Sequence, residues 1–404
     1  MGDVCSASSS ARWRAGGSAT GAGSARPVRR VLVVIPSLTP EAGAESSMAA
    51  VLPLIGAQGV DVHLAVLTAN QGLVPKVESA GIVVHDLSGA SPLARVRRLR
   101  DLIRRIEPDV VHSTLFQASV PTQLAALGSG VPSLITWANT PTDPRTELAA
   151  TWKLRVVALI EMLVAHLPNT RFHAVTEGVA ITKARSLRVA SERVAVAERG
   201  RDRSVYRPSP TTDRAAALAE LGVPADGQML LAVGRQESQK GYVDLVEAFD
   251  RAALTHPTTH LVIAGRDGSA TVEIDRAVEG ARAADRIHRL GHRDDVGRLL
   301  QLSDAIVCAS YREGAAGALI EAMACGTPIV SVELDGMIGV LDDGVNAIVV
   351  PRRQLDDGLR RVLDDVDGAR ERARVALEMF ERRFTLERSS EALLEVYRWA
   401  ASAA

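Results

Sequence analysis

The sequence lacks the features that would assign it quickly. It has only three cysteines in 404 residues, Cys5, Cys308 and Cys325, and no C-x-x-C spacing. Cys308 lies in a strand-like apolar run and Cys325 at the end of a helical one, which argues against disulfides and zinc and for a reducing, cytosolic setting. No apolar run approaches the ~18 residues of a membrane span. VVALIEMLVAHL is short and contains Glu161. The formal net charge of −1 removes the electrostatic footprint of a nucleic-acid binder. Neither half carries G-x-G-x-x-G after its first strand-like run, and G-x-x-x-x-G-K-[ST] does not occur. Nicotinamide, flavin and P-loop sites are therefore disfavoured. Lysine is scarce too: Lys76, Lys153, Lys183 and Lys240 stand among many arginines, as a GC-rich coding bias would give.

Residues 1–28 are low-complexity Ser, Gly, Ala and Arg, too poor in apolar side chains to build a core, and read as a disordered tail. MGDVCS matches a myristoylation pattern and Arg29–Arg30 mimics a twin-arginine signal, but VLVVIPSL is too short and strand-like for an export segment. Beyond the tail, 47% hydrophobic and 24% charged residues suit two domains with proper cores. Short β-branched runs alternate with helix-period stretches, the pattern of α/β units with parallel sheets. Seven strand candidates (31–37, 61–67, 82–87, 109–114, 133–139, 172–176, 193–198) precede a Pro/Ser/Thr-rich linker at 203–214. Six more (229–234, 260–265, 286–291, 305–310, 328–333, 346–350) follow it. The expected division is a Rossmann-like domain over 29–205, a second over 206–382, and a separate amphipathic helix within 383–404. The clearest helix, 93–106, puts Leu93, Val96, Leu99, Leu102, Ile103 and Ile106 on one stripe, with arginines opposite.

Three strand–loop–helix junctions carry candidate chemistry. In AVGRQESQKGYVDLVEAF (232–249), Gly234 ends a strand, Gly241 opens a helix, and Arg235 and Lys240 lie on the loop between. Two cations beside helix amides at a parallel strand's carboxyl end make an anion site. Taken alone, the same loop also reads as solvated surface. In AIVCASYREGAAGALIEAMACGTPIV (305–330), Glu313 falls in the loop, while Gly314, Ala315, Ala316 and Gly317 would leave the helix-start amides bare. Glu321 follows a turn later among Leu319, Ile320, Ala322 and Met323, a costly place for a carboxylate without partners, unless it escapes to solvent on a polar stripe. PSLTPEAGAESSMAA (36–50) is a third such junction, with Gly43 at its turn; an ordinary βα turn would look alike.

Together, V-G-R-x(4)-K-G at 233–241 and E-G-x(6)-E-A-M-A-x-G-x-P at 313–328 resemble the retaining glycosyltransferases of family four, as does P-S-L-x(4)-G-A-E at 36–45. The resemblance runs in order over residues 30–400. It implies a GT-B architecture: two facing Rossmann-like domains, the acceptor mainly on the first, the donor nucleotide on the second, and a final helix crossing back. It implies a hexosyltransferase-type enzyme that moves a sugar from a nucleotide donor, UDP-linked by family precedent, to a hydroxyl of a glycan, lipid or small molecule. By motif position, Arg235 and Lys240 would hold the diphosphate, Glu313 would face the donor sugar, and Glu321 would accept from the ribose hydroxyls. Gly43 would lie against the diphosphate, with Gly234, Gly314, Ala315 and Ala316 lining the nucleotide. Two departures stand out. ITWANTPTD has Asn139 where many members have a histidine facing the sugar, and SVELDGMIGVLDDG has a single Gly336 where two glycines are common. His112 and His173 either line the cleft or are ordinary strand-end histidines. The D-x-D at Asp365–Asp367 has no strand before it, so no metal site and no separate cofactor are expected. The alternatives are a catalytically silent nucleotide-binding scaffold of the same fold, or a sugar-nucleotide epimerase. The expected setting is cytoplasmic, with the arginine face of helix 93–106 leaving peripheral contact with the inner membrane face open.

Overall fold

The computed structural model describes residues 27–39, 43–69, 72–140, 152–209 and 213–402. The tail and its signal-like patterns therefore lie, up to residue 26, outside the described residues, as does the PTD end of ITWANTPTD. In the first half, β1 (Arg30–Ile35), α1 (Gly43–Ala57), β2 (Asp61–Val66), α2 (Val74–Glu78), β3 (Val83–Asp86), α3 (Pro92–Ile106) and β4 (Val110–Thr114) follow in order. Then come α4 (Phe116–Ala126), β5 (Ser133–Trp137), α5 (Trp152–Ala165), β6 (Thr170–Ala174), α6 (Glu177–Leu187) and β7 (Val194–Val196). The strands make one parallel sheet in the order β3-β2-β1-β4-β5-β6-β7.

The second half repeats the rhythm: α7 (Arg214–Ala219), β8 (Gln228–Val233), α8 (Tyr242–Ala252), β9 (Thr259–Ala264), α9 (Thr271–Gly280), β10 (Ile287–Gly291), α10 (Val296–Leu302) and β11 (Ala305–Cys308). It ends with α11 (Gly317–Cys325), β12 (Ile329–Val332), β13 (Ile348–Val350), α12 (Leu355–Asp364), α13 (Val366–Arg383) and α14 (Leu386–Ala401). Its parallel sheet has the order β10-β9-β8-β11-β12-β13. In each sheet the strand order reverses once, between β1 and β4 and between β8 and β11. Such a reversal splays the two following loops apart and opens a crevice at the strands' carboxyl ends.

Local sequence explains the elements. Ser91 caps α3 by accepting from the Ala94 amide at 3.4 Å, Pro92 opens it, and Glu107 closes it in a left-handed conformation. Leu99, Leu102, Ile103 and Ile106 are buried on the sheet, roughly 1.5–3 kcal/mol of apolar transfer each as an upper estimate. The stripe is shorter than its period implies, since Leu93 in the first turn is 62% exposed. No helix among the described residues is long and apolar enough to cross a membrane. In α5, Glu161 is held by Lys183 at 2.6 Å.

The chain crosses between the sheets twice, and the crossings run side by side. The Arg201 amide donates to the Phe384 carbonyl at 2.8 Å, and the Leu386 amide donates back to Arg201 at 3.2 Å. Beyond this point α14 packs on α1, placing Leu393, Leu394, Val396, Tyr397 and Ala400 in the core beneath β1 and β2. The Tyr397 hydroxyl meets His112 Nδ1 at 2.8 Å, and His112 Nε2 meets Thr136 Oγ1 at 2.6 Å. Thr136 Oγ1 in turn meets His173 Nδ1 at 3.1 Å, and His173 Nε2 meets the Ala197 carbonyl at 2.8 Å. A carbonyl can only accept, so His173 Nε2 carries the proton. Each preceding hydroxyl and ring then donates in one direction, from Tyr397 to Ala197. Both rings must be neutral for this chain. Burial drives both that way, pushing His173 down to about 4 and His112 well below the usual histidine range.

Candidate active site

The candidate residues of the second half gather at the β8/β11 crevice. After β8 the chain leaves through Gly234, whose carbonyl accepts from the Tyr242 hydroxyl at 2.9 Å, and reaches Lys240 and Gly241 at the start of α8. Gly241 has φ 65°, and a Cβ there would overlap the Ala309 carbonyl oxygen, so only glycine fits where the loops after β8 and β11 touch. That contact brings Lys240 Nζ to 2.6 Å from Glu313 Oε1, which also accepts from Ser310 Oγ at 2.7 Å. Burial raises the Tyr242 phenol, and burial together with the Glu313 charge raises the Cys308 thiol, so both stay neutral beside the pair. Arg235 is held loosely: its side chain is 67% exposed and its guanidinium lies 3.5 Å from Glu237. An exposed pair of that kind contributes little and leaves the cation available.

Glu313 leads to α11 through a tight approach between the two halves. A Cβ on Gly314 would overlap the Ala138 carbonyl at the end of β5, and Ala315 packs on the apolar cluster of β5, β6 and α6. The small side chains at 314 and 315 thus serve the contact between the sheets, with the exposed Asn139 beside it. Gly336 completes the closure: its carbonyl accepts from Thr176 Oγ1 at 2.7 Å, and a Cβ there would overlap the carbonyls of Glu313 and Gly314. Ala316 enters α11 with φ 33° and ψ 66°, a left-handed conformation that costs a non-glycine residue about 1–2 kcal/mol. The Ala316 carbonyl accepts from the Leu319 amide at 2.8 Å, and the start of α11 at Gly317 and Ala318, whose amides have no preceding helical turn to bond to, lines the same cavity as Lys240 and Glu313.

Glu321 does not escape to solvent. Its Oε1 accepts from Arg201 Nε at 2.7 Å, and both side chains are largely buried. Arg201 lies in the crossover from the first half, 120 positions away, and sequence spacing gives no sign of it. The signal that was available is the apolar setting of Glu321, which calls for a partner.

On the first sheet, Gly43 opens α1 at the carboxyl side of β1, with nothing within 4 Å of an added Cβ. The loop at 40–42 before it lies outside the described residues. Across the β1/β4 crevice, Leu115 sits at φ 65° and ψ 151°, a conformation that glycine favours, at the turn into α4. His112 and His173 do not line the cleft; they are interior residues of the chain ending at Ala197. Asp365 caps α13 by accepting from the Gly368 amide at 3.0 Å, and Asp367 points to solvent, 3.4 Å from Arg370.

Two parallel α/β sheets whose carboxyl ends meet at Ala138–Gly314 and Thr176–Gly336, with a final helix returned to the first, form the GT-B architecture. The chain belongs to the glycosyltransferases with this fold: its second half, residues 213–376, matches the family described as glycosyl transferases group 1, and residues 42–200 match the glycosyl transferase 4-like domain. Among curated proteins it is similar to the D-inositol 3-phosphate glycosyltransferase of Saccharomonospora viridis, at 30% identity over 73% of this chain and 65% of that protein. It is also similar to the glycogen synthase of Mycobacterium tuberculosis, at 34% identity over 42% of each chain. The chain spans 65%, 47% and 52% of the length of three inositol-phosphate glycosyltransferases that it matches. Among solved structures, Anabaena Alr3699/HepE in complex with UDP-glucose superposes with a TM-score of 0.77 at 19% identity, covering 91% of this chain and 98% of that one. Sucrose-phosphate synthase from Thermosynechococcus elongatus gives 0.74 at 18% identity, covering 93% and 100%. Likeness at such identities bears on the fold alone.

Proposed function

We propose that this protein transfers a sugar from a nucleotide donor, a UDP-sugar, to an acceptor hydroxyl with retention at the anomeric carbon and without a metal ion. The observation that carries the reading is the convergence of Lys240 and Glu313 with the start of α11 at the switch point of the second sheet, with Arg235 exposed on the same loop as Lys240. In the reaction the bond between the anomeric carbon and the diphosphate oxygen breaks, and the acceptor oxygen bonds to that carbon on the same face. The acceptor proton passes to the departing phosphate. The electrostatic demand is the charge that develops on the nucleoside diphosphate. Lys240 has three donor protons and gives one to Glu313, which leaves two for phosphate. Arg235, weakly held, supplies a planar fork for the same group. With these cations and the α11 amides in place, no metal is needed to neutralise the diphosphate.

Glu313 is assigned to the donor sugar, with Asn139, whose backbone lies against Gly314, as a polar partner from the first sheet. Glu321 is assigned to the ribose, and Gly43 to the wall opposite the diphosphate. The names of the relatives support a phosphorylated polyol or a glucan as acceptor class, and the UDP and UDP-glucose bound to the Anabaena protein support the donor class. The test is to incubate the protein with UDP-sugars and candidate hydroxyl acceptors in excess chelator and follow the product by NMR. Transfer with the donor's anomeric configuration supports the reading. Inversion, loss of activity on chelation, or epimerised nucleotide sugar would each overturn it.

A further inference from the structure

We propose that Arg201 is part of the donor-binding surface and that the ribose diol is read by an Arg201–Glu321 pair rather than by Glu321 alone. The inference rests on the assignment of Glu321 to the ribose and names a second residue there. Arg201 is not a passing surface cation. Its backbone is fixed by two hydrogen bonds to the returning chain at Phe384 and Leu386. Gly200 beside it is pressed so closely on Thr385 that a Cβ would overlap that residue's carbonyl. Its Nη1 donates to the Gly200 carbonyl at 3.1 Å and its Nε to Glu321 Oε1 at 2.7 Å.

Those bonds leave Nη2, which lies where a side chain on Gly317 would stand, over the first residue of α11. A guanidinium there faces the positive end of the helix dipole, an unfavourable place unless a ligand oxygen comes between them. Glu321 likewise has Oε2 to offer. A cis-diol presents two hydroxyls, each able to donate and accept. One can donate to Glu321 Oε2 while the oxygen of the other accepts from Arg201 Nη2. A carboxylate already sharing Oε1 with Nε binds the diol less symmetrically than a free one, and the pair tells the two hydroxyls apart. The donor held by the second sheet is then also gripped by a residue of the crossover from the first.

The test is calorimetric titration of the full chain with UDP, 2′-deoxy-UDP and 3′-deoxy-UDP, for the native sequence, Arg201→Lys and Arg201→Gln. Hydrogen bonds to charged groups contribute about 1.5–3 kcal/mol, so each deoxy form should bind the native chain about tenfold more weakly or worse. Arg201→Lys keeps a cation against Glu321 and should retain the fold. In both variants discrimination against one deoxy form should fall below about threefold while discrimination against the other persists. A purely structural Arg201 would weaken all three nucleotides in proportion. Unchanged ratios in both variants would overturn the proposal. If the native chain bound UDP and both deoxy forms equally, the assignment of Glu321 to the ribose would fail first, and this proposal with it.

Discussion

Acid should weaken the first sheet well before it protonates ordinary carboxylates, because two neutral histidines are locked into the chain from Tyr397 to Ala197. His173 has a folded pKa of about 4 against an ordinary 6.5. A base whose folded pKa is depressed takes up protons more readily when unfolded, so stability is fully present above pH 6.5 and is lost as pH falls toward 4. Between pH 6.5 and 5.0 the linkage relation gives a loss of about 1.5 kcal/mol for His173 alone, with His112 adding in the same direction. The four tryptophans, Trp13, Trp137, Trp152 and Trp399, all lie in the first half or the final helix. Trp137 stacks on Phe172, and Trp399 packs under Arg171. Denaturant unfolding followed by tryptophan fluorescence thus reports the first sheet and α14. The native chain should lose stability steeply from pH 6.5 to 5.0, and His173→Gln should show a slope smaller by about one proton. Equal slopes for the two proteins would refute the assignment of His173 as buried and neutral.

Other expectations follow from single contacts. Tyr397→Phe removes the donor to His112 Nδ1 and leaves that nitrogen buried and unpaired, so the fluorescence-detected transition should drop by about 1–3 kcal/mol. Gly241→Ala forces a Cβ into the Ala309 carbonyl at positive φ and should destabilise the second domain while weakening nucleotide binding, as thermal scans with and without UDP would register. Gly314→Ala drives a Cβ into Ala138 from the opposite sheet. It should separate the halves, raising the radius of gyration in small-angle scattering with each half still folded.

Much of the frame is legible in the sequence, and for a clear reason. Strands of a parallel sheet buried on both faces read as short continuous apolar runs, so each of the thirteen runs from VLVVIPS to NAIVV overlaps an observed strand, with β1, β6, β8 and β9 starting one or two residues earlier than their runs. The loops bearing Lys240 and Glu313 are legible as well, since small residues and charges at a strand's carboxyl end mark a βα junction. What spacing cannot convey is which distant residue meets them. Glu321 asks for a partner, but Arg201 reaches it only because the two crossovers run side by side at Phe384 and Leu386. Gly314 is legible as small, whereas the Ala138 carbonyl that requires it belongs to the other sheet. His112 lies 285 positions from Tyr397, and only the return of α14 joins them.

The proposed binding of the donor nucleotide in the β8/β11 crevice depends on Lys240 and Glu321. It is tested most directly by thermal unfolding of the native chain, Lys240→Ala and Glu321→Ala with UDP-, GDP- and ADP-sugars. A ligand at one hundred times its dissociation constant adds about 2.7 kcal/mol to the folded state, a rise of several degrees for a domain of this size. That rise is expected for the native chain with one nucleotide class, UDP-sugars, and should be lost in both variants. No stabilisation of the native chain by any of the three, or an equal response from the variants, would contradict it.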